Sequence, residues 1–196
     1  MGAMLRRELL IGASALLLAV PAGATTLVQM NLADLASRAD KVFRGTVVSV
    51  KAGSVKAGGG ELPTLVYRLR VEEPFKGDFG EGKEKGLVEI RMVGEAKGKA
   101  PSGPQRFDLW RDVPRLKRGQ EYVLFATRPS SIGLSTTVGL GQGAFRILGA
   151  GKDEKAVNAF DNRGLGRGMP EASFPSAGGP VPYADLARAI RAVLGQ

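Results

Sequence analysis

Between Thr64 and Glu73 the chain reads TLVYRLRVEE, in which apolar and polar residues alternate from Tyr67 to Glu72. Leu65, Tyr67, Leu69 and Val71 fall on one side, and Arg68, Arg70 and Glu72 on the other. That period of two belongs to a strand with one buried face; a helix would scatter the same apolar set around its circumference. Pro74-Phe75-Lys76-Gly77 ends the run. Residues 41–51 (KVFRGTVVSVK) are β-branched and extended, and residues 87–93 (LVEIRMV) and 120–127 (QEYVLFAT) follow the same pattern. Residues 134–140 and 144–148 supply two further strands, while AGSVKAGGG, between the first two runs, reads as a flexible connection. Helical signals occur twice. Asn31 followed by Asp34 is a capping pair that opens a short helix over 32–39, with Leu32, Leu35 and Ala36 on one face. Residues 183–194 place Leu186, Ile190, Val193 and Leu194 along one side. Many short strands with few helices predict a mainly β fold, a five- to six-stranded antiparallel barrel or sandwich with a short N-terminal and a C-terminal helix.

Residues 136–147 read TTVGLGQGAFRI, with Gly139, Gly141 and Gly143 at alternate positions. A dinucleotide fingerprint needs G-x-G-x-x-G to close a strand and open a helix. Here the spacing is G-x-G-x-G and another strand-like run follows, so the glycines are expected to form one bare face of a barrel strand. No nucleotide site is predicted.

The first 24 residues have the form of an export signal. Arg6 and Arg7 precede a 12-residue apolar run over 9–20, and Ala22-Gly23-Ala24 is a small-x-small cleavage site. The run is short of the ~18–20 residues a membrane helix requires. Leu5 stands where a twin-arginine signal carries Ser or Thr, which favours the general secretory route. The expected organisation is a signal peptide over 1–24, a β-barrel domain over 25–149, a Gly/Pro-rich connector over 150–182 and a helix over 183–196. The product is periplasmic or secreted, with no membrane span after cleavage. Loss of Arg6, Arg7 and Glu8 takes the net charge from +9 to +8.

The chain has no histidine and no cysteine. Ser-His and Cys-His catalysis, zinc sites with imidazole or thiolate ligands, and disulfides are therefore excluded. No S-x-x-K occurs, and Glu72-Glu73 are adjacent on a strand, so they point to opposite faces and cannot flank one bond. Asp153, Glu154, Asp161 and Asn162 match no calcium-loop spacing. The expectation is a non-enzymatic protein without cofactor or metal.

Three segments carry a family resemblance. Ala39-Asp40-Lys41-Val42-Phe43-Arg44-Gly45-Thr46-Val47-Val48 resembles the first strand of the netrin-like module found in tissue inhibitors of metalloproteinases. Val71-Glu72-Glu73-Pro74-Phe75-Lys76-Gly77 resembles the end of its second long strand, and Gly119-Gln120-Glu121-Tyr122-Val123-Leu124-Phe125 the strand after its central loop. Order and spacing match across 39–127, about half of the chain left after signal removal. The resemblance implies an OB-type barrel that binds through its face and loops. It also implies a protein partner, an exported metalloprotease among the candidates. The family's inhibitors chelate zinc through an N-terminal cysteine; here the expected start is Thr25, 14 residues before Ala39, so only its free amine corresponds.

Positive charge offers a second class of partner. Residues 95–118 hold Lys97, Lys99, Arg106, Arg111, Arg115, Lys117 and Arg118 against Glu95, Asp108 and Asp112, a net +4, together with Phe107 and Trp110. Basic and aromatic side chains interleaved in this way suit an anionic envelope or extracellular polymer. The candidate contact residues are Thr25, Arg106, Trp110, Arg111, Arg115, Lys117 and Arg118.

Overall fold

The computed structural model describes residues 28–80, 85–95, 113–169 and 174–196. Within these residues seven strands form one sheet: β1 (Lys41–Ala57), β2 (Gly60–Lys76), β3 (Leu87–Val93), β4 (Glu121–Ala126), β5 (Ala144–Leu148), β6 (Lys155–Val157) and β7 (Val181–Pro182). Their order is β3-β2-β1-β4-β5-β6-β7, and every neighbouring pair is antiparallel. Helix α1 (Leu32–Arg38) precedes the sheet and α2 (Tyr183–Leu194) follows it.

Alternation decides which side chains go where. Phe43 and Val47 of β1, Leu65, Tyr67 and Leu69 of β2, Val88, Ile90 and Met92 of β3, and Leu124 of β4 pack on one face, with Leu116 against them. The other face carries Val42, Val123, Phe125, Phe145 and Ile147 under Leu32 and Leu35 of α1 and Leu186 and Ile190 of α2. The rings of Phe125 and Phe145 meet at 5.7 Å, and both are fully buried. Each such ring contributes about 1.5–3 kcal/mol relative to exposure. Asn31 caps α1 as its sequence requires: its side chain accepts from Asp34 N at 2.8 Å, and Asp34 accepts from Asn31 N at 3.3 Å. Gly195, left-handed at φ 73°, ends α2. Among the described residues no helix is long and apolar enough to cross a membrane.

The sheet is open, which corrects the barrel expectation. Among the described residues, the edge of β3 meets the rest of the sheet's loops through one backbone bond, Ser135 N to Arg91 O at 2.9 Å, and no strand pair closes the circle. The reason lies in how the long strands end. Beyond Thr46, β1 leaves β4 and continues with β2 alone, so their far halves project instead of curling round to meet another strand. The AGSVKAGGG segment is accordingly strand and turn, not a flexible connection. Within the Gly/Pro-rich stretch, β6 and β7 add the outermost ladder.

The glycine run also differs from expectation. Residues 134–140 form no strand; Thr137 makes one isolated bridge to Ala126, and Leu140–Gly143 is a 3₁₀ turn opened by Gly139 at φ 61°. Its glycines are required by closeness. A Cβ on Gly143 would stand 2.4 Å from the Val138 carbonyl oxygen, backbone that cannot yield locally. Gly143→Ala should therefore lower stability by about 1–3 kcal/mol or more. Gly60→Ala, with nothing within 4 Å of its Cβ, should stay within ~0.5 kcal/mol. Urea unfolding of both variants measures the contrast, and millimolar ATP should leave the thermal midpoint of the parent protein unchanged.

Candidate functional site

The projecting hairpin is the most prominent surface feature. Its tip is a two-residue turn, Gly58-Gly59, with φ of +59° and +80°, and Ala57 pairs with Gly60 across it. Two positive φ values match the primed turn whose twist suits a hairpin, and glycine alone adopts them freely. The β2–β3 ladder runs from Thr64 to Arg70, so beyond Thr64 the arm is two strands only. Val50–Ser54 and Lys56 are mostly exposed along β1, while Val55 and Ala57 are half-buried.

The arm's root is built by the strap over 113–120. Gly119 N donates to Val47 O at 2.8 Å, and Val47 N donates to Gln120 O at 3.1 Å, so the strap continues β4 for one residue against β1. Two buried tyrosines hold it from below. Tyr122 Oη accepts from Lys117 N at 3.2 Å, and the Tyr67 hydroxyl lies against the Leu116 backbone. Burial pushes both phenols above their ordinary range, so they act as neutral hydrogen-bonding groups. Pinned there, Lys117 and Arg118 stand exposed beside the point where the arm departs. Arg115 is also exposed and donates to Glu95 O at 3.1 Å. The structure thus gathers Arg115, Lys117 and Arg118 at the root. Thr25, Arg106, Trp110 and Arg111 lie outside the described residues.

On the helix-bearing face a second polar centre surrounds Arg44. Its Nη1 and Nη2 donate to the two Glu154 oxygens at 2.8 and 2.9 Å, and its Nε donates to Glu121. The guanidinium lies 4.2 Å from the Tyr183 ring centre, and Tyr183 donates to Glu73, which Arg191 also contacts. Arg44 is 15% exposed, against 24% for Glu121 and 18% for Glu154. Burial works against the Arg44 charge, yet its carboxylate bonds hold its pKa well above the ordinary value. Beside it, Thr46 donates to Glu72 at 2.6 Å, and Glu72 shares a hydrogen bond with Glu121. Burial and then Glu121 push the Glu72 carboxyl up, while Arg44 holds Glu121 below the usual range. Among the described residues no cluster of carboxylates is arranged to hold a metal ion.

A third feature is a cavity of about 670 Å³ lined by Val28, Gln29, Gln142, Ala159, Phe160, Asp161 and Arg163. The Gln142 amide accepts from Met30 N at 2.8 Å and donates to Val28 O at 3.0 Å, tying the N-terminal segment down like a ladder partner. This lies before β5, whose first residue pairs with Leu124; the arm leaves from the Glu121 end of β4.

Sequence reasoning singled out Arg115, Lys117 and Arg118 but missed the arm and the Arg44 centre. The signal for the arm was present: SVKA, a glycine pair and a second extended run are a two-residue hairpin pattern. No signal announced the Arg44 centre, because its partners lie 77 and 110 residues away. Compared with protein-family models, curated proteins and solved structures, the chain matches none.

The Arg44 centre makes stability depend on pH in two directions. Glu121, with a depressed pKa, contributes stability above the ordinary glutamate range near pH ~4.3, lost as pH falls through its folded value. Glu72, with a raised pKa, favours the folded state while protonated, a contribution lost as pH climbs from ~4.3 through its folded value. Glu72→Gln should therefore raise the thermal midpoint at neutral pH and have little effect near pH ~4. Arg44→Met should cost ~2 kcal/mol or more by leaving Glu121 and Glu154 unpaired. Adding Glu121→Gln and Glu154→Gln should return part of that loss, as chemical unfolding would measure.

Proposed function

We propose that this protein is an exported, non-enzymatic binding protein that engages a protein partner through its arm and the basic root beside it. The arm carries the reading. A two-stranded projection whose tip contributes little to either core is retained at the expense of an exposed edge, a feature that globular chains otherwise suppress. The export-signal pattern supports an encounter outside the cytoplasm, and the lack of histidine and cysteine narrows the catalytic alternatives.

Replacing residues 54–63 by Asn-Gly shortens the arm to the pair Gly53 and Thr64, which already face each other as a hydrogen-bonded pair of the ladder. The shortened protein should fold with a nearly unchanged thermal midpoint, because the deleted residues lie outside both cores. Immobilised full-length protein should retain a partner from the exported fraction that the shortened form does not. Equal retention by both would remove the arm from the function.

A second reading, binding of an anionic envelope or extracellular polymer, is favoured by Lys117 and Arg118 standing exposed at the root. Heparin is a suitable probe. Its affinity should fall steeply with salt, and Arg115→Ala/Lys117→Ala/Arg118→Ala should flatten the log–log slope by about 2. Salt-independent binding would count against this reading.

The resemblance to metalloproteinase inhibitors adds a narrower proposal, chelation of a protease zinc by the amine of Thr25. A terminal amine with an ordinary pKa near ~7.7–8.0 is available for this around neutral pH. Protein beginning at Thr25 and protein carrying one extra N-terminal Ala should be compared against exported zinc proteases. Inhibition by the first alone would support chelation. The expected result is inhibition by neither, since Gln142 holds Val28 and Met30 at the end of β4 away from the arm.

A further inference from the structure

The arm has one side that its own hairpin leaves unused. β1 pairs with β4 from Lys41 to Thr46 and with the strap at Val47; from Val48 to Ala57 it has no strand on that side among the described residues. The phase of the ladder identifies the free groups. Across a two-residue turn the flanking residues Ala57 and Gly60 form a hydrogen-bonded pair, and pairs alternate from there. The N–H and C=O of Val50, Ala52, Ser54 and Lys56 are therefore turned outward. Pro63 checks the phase: it faces Ser54, has no N–H, and gives its carbonyl to Gly94 N at 3.1 Å on the side away from β1. Four alternate residues thus offer donors and acceptors at strand spacing that no strand among the described residues pairs.

Charge selects the occupant. Lys51 and Lys56 lie along this edge and Lys117 and Arg118 at its root, and among the described residues none of the four has an ion-pair partner. A strand added here would lie ~4.8 Å from β1. Its side chains would then come within cross-strand reach of both lysines. A second copy of the chain would bring the same lysines together on molecules of net charge +8 after signal removal. We propose that the free edge of β1, from Val50 to Lys56, takes an extended acidic segment of the partner as an added strand, backbone bonds supplying affinity and the lysines selecting carboxylates. This rests on the reading of the arm as the contact surface and specifies how that contact is made.

The probe is a soluble ten-residue peptide of Glu-Glu-Thr-Thr repeats, which carries carboxylates on both faces because Lys51 and Lys56 point to opposite faces of the strand. It is compared with a Lys/Thr counterpart and with the Glu/Thr peptide N-methylated at alternate residues. The Glu/Thr peptide should bind the full-length protein and slow amide exchange at Val50, Ala52, Ser54 and Lys56. N-methylation should weaken binding at least tenfold, and the Lys/Thr peptide should not bind. Ser54→Pro removes one outward N–H and leaves the β2 ladder intact, so it should also weaken binding at least tenfold without loss of fold. Equal affinity of the methylated peptide, or protection confined to the root, would overturn strand addition. So would a parent dimer that Ser54→Pro converts to monomer, since the edge would then serve a second copy. Retention of the natural partner by Ser54→Pro but not by the arm-shortened form would reject strand addition alone. Retention by both would reject the arm reading as well.

Discussion

Arg44 is the point where the separate parts of this structure are joined. It leaves β1 on the helix-bearing face and binds Glu121 at the start of β4 and Glu154 ahead of β6, while the Tyr183 ring at the start of α2 lies over it. One guanidinium therefore ties the central strand to its neighbour, to the outer ladder and to the last helix. A half-buried cation is costly unless its donors are matched, and here the planar fork meets one carboxylate with both ends and another with its Nε. Because Tyr183 N also donates to Glu154 O at 2.9 Å, the helix start and the carboxylate are fixed together. The apolar contacts on this face could tolerate small sliding of α2; the directional bonds around Arg44 do not.

This anchoring explains how β1 can serve two purposes. Its first half is a core strand, with Val42 and Phe43 fully buried on opposite faces. Its second half leaves both cores and becomes the arm. Register shifts at Val42/Phe43, Arg44/Gly45 and Val47/Ser49 concentrate along the first half and the point of departure. Bulges of this kind bend and twist a ladder, which turns the arm away from the sheet without breaking the strand. Lys51 and Lys56 on the open edge are the charges by which edges resist indiscriminate pairing, and the same charges would admit an acidic strand.

Much of the local structure was legible in the sequence. The capping pair Asn31 and Asp34 marked α1, alternation marked β3 at its observed limits, and the apolar stripe marked α2 from Tyr183 to Leu194. The errors have physical causes. Glycine-rich AGSVKAGGG suggested flexibility, yet pairing with residues 60–65 of β2 fixes the segment as strand. Residues 134–140 have strand composition, but the close approach of Gly143 to the Val138 backbone bends the chain into a tight turn. The expected barrel failed at a single step, the closing pair, which no local pattern encodes.

What the sequence by itself determined is what short range can specify: strand phase, helix ends, and an inventory without imidazole or thiol. These depend on the steric and hydrogen-bonding preferences of a few adjacent residues. Only the tertiary structure decided which edges found partners and which stayed open. Only it brought Glu121 and Glu154 to Arg44 and set Lys117 and Arg118 beside the arm. Those outcomes depend on sheet twist, register and the docking of distant segments, where the residues that meet share no pattern along the chain.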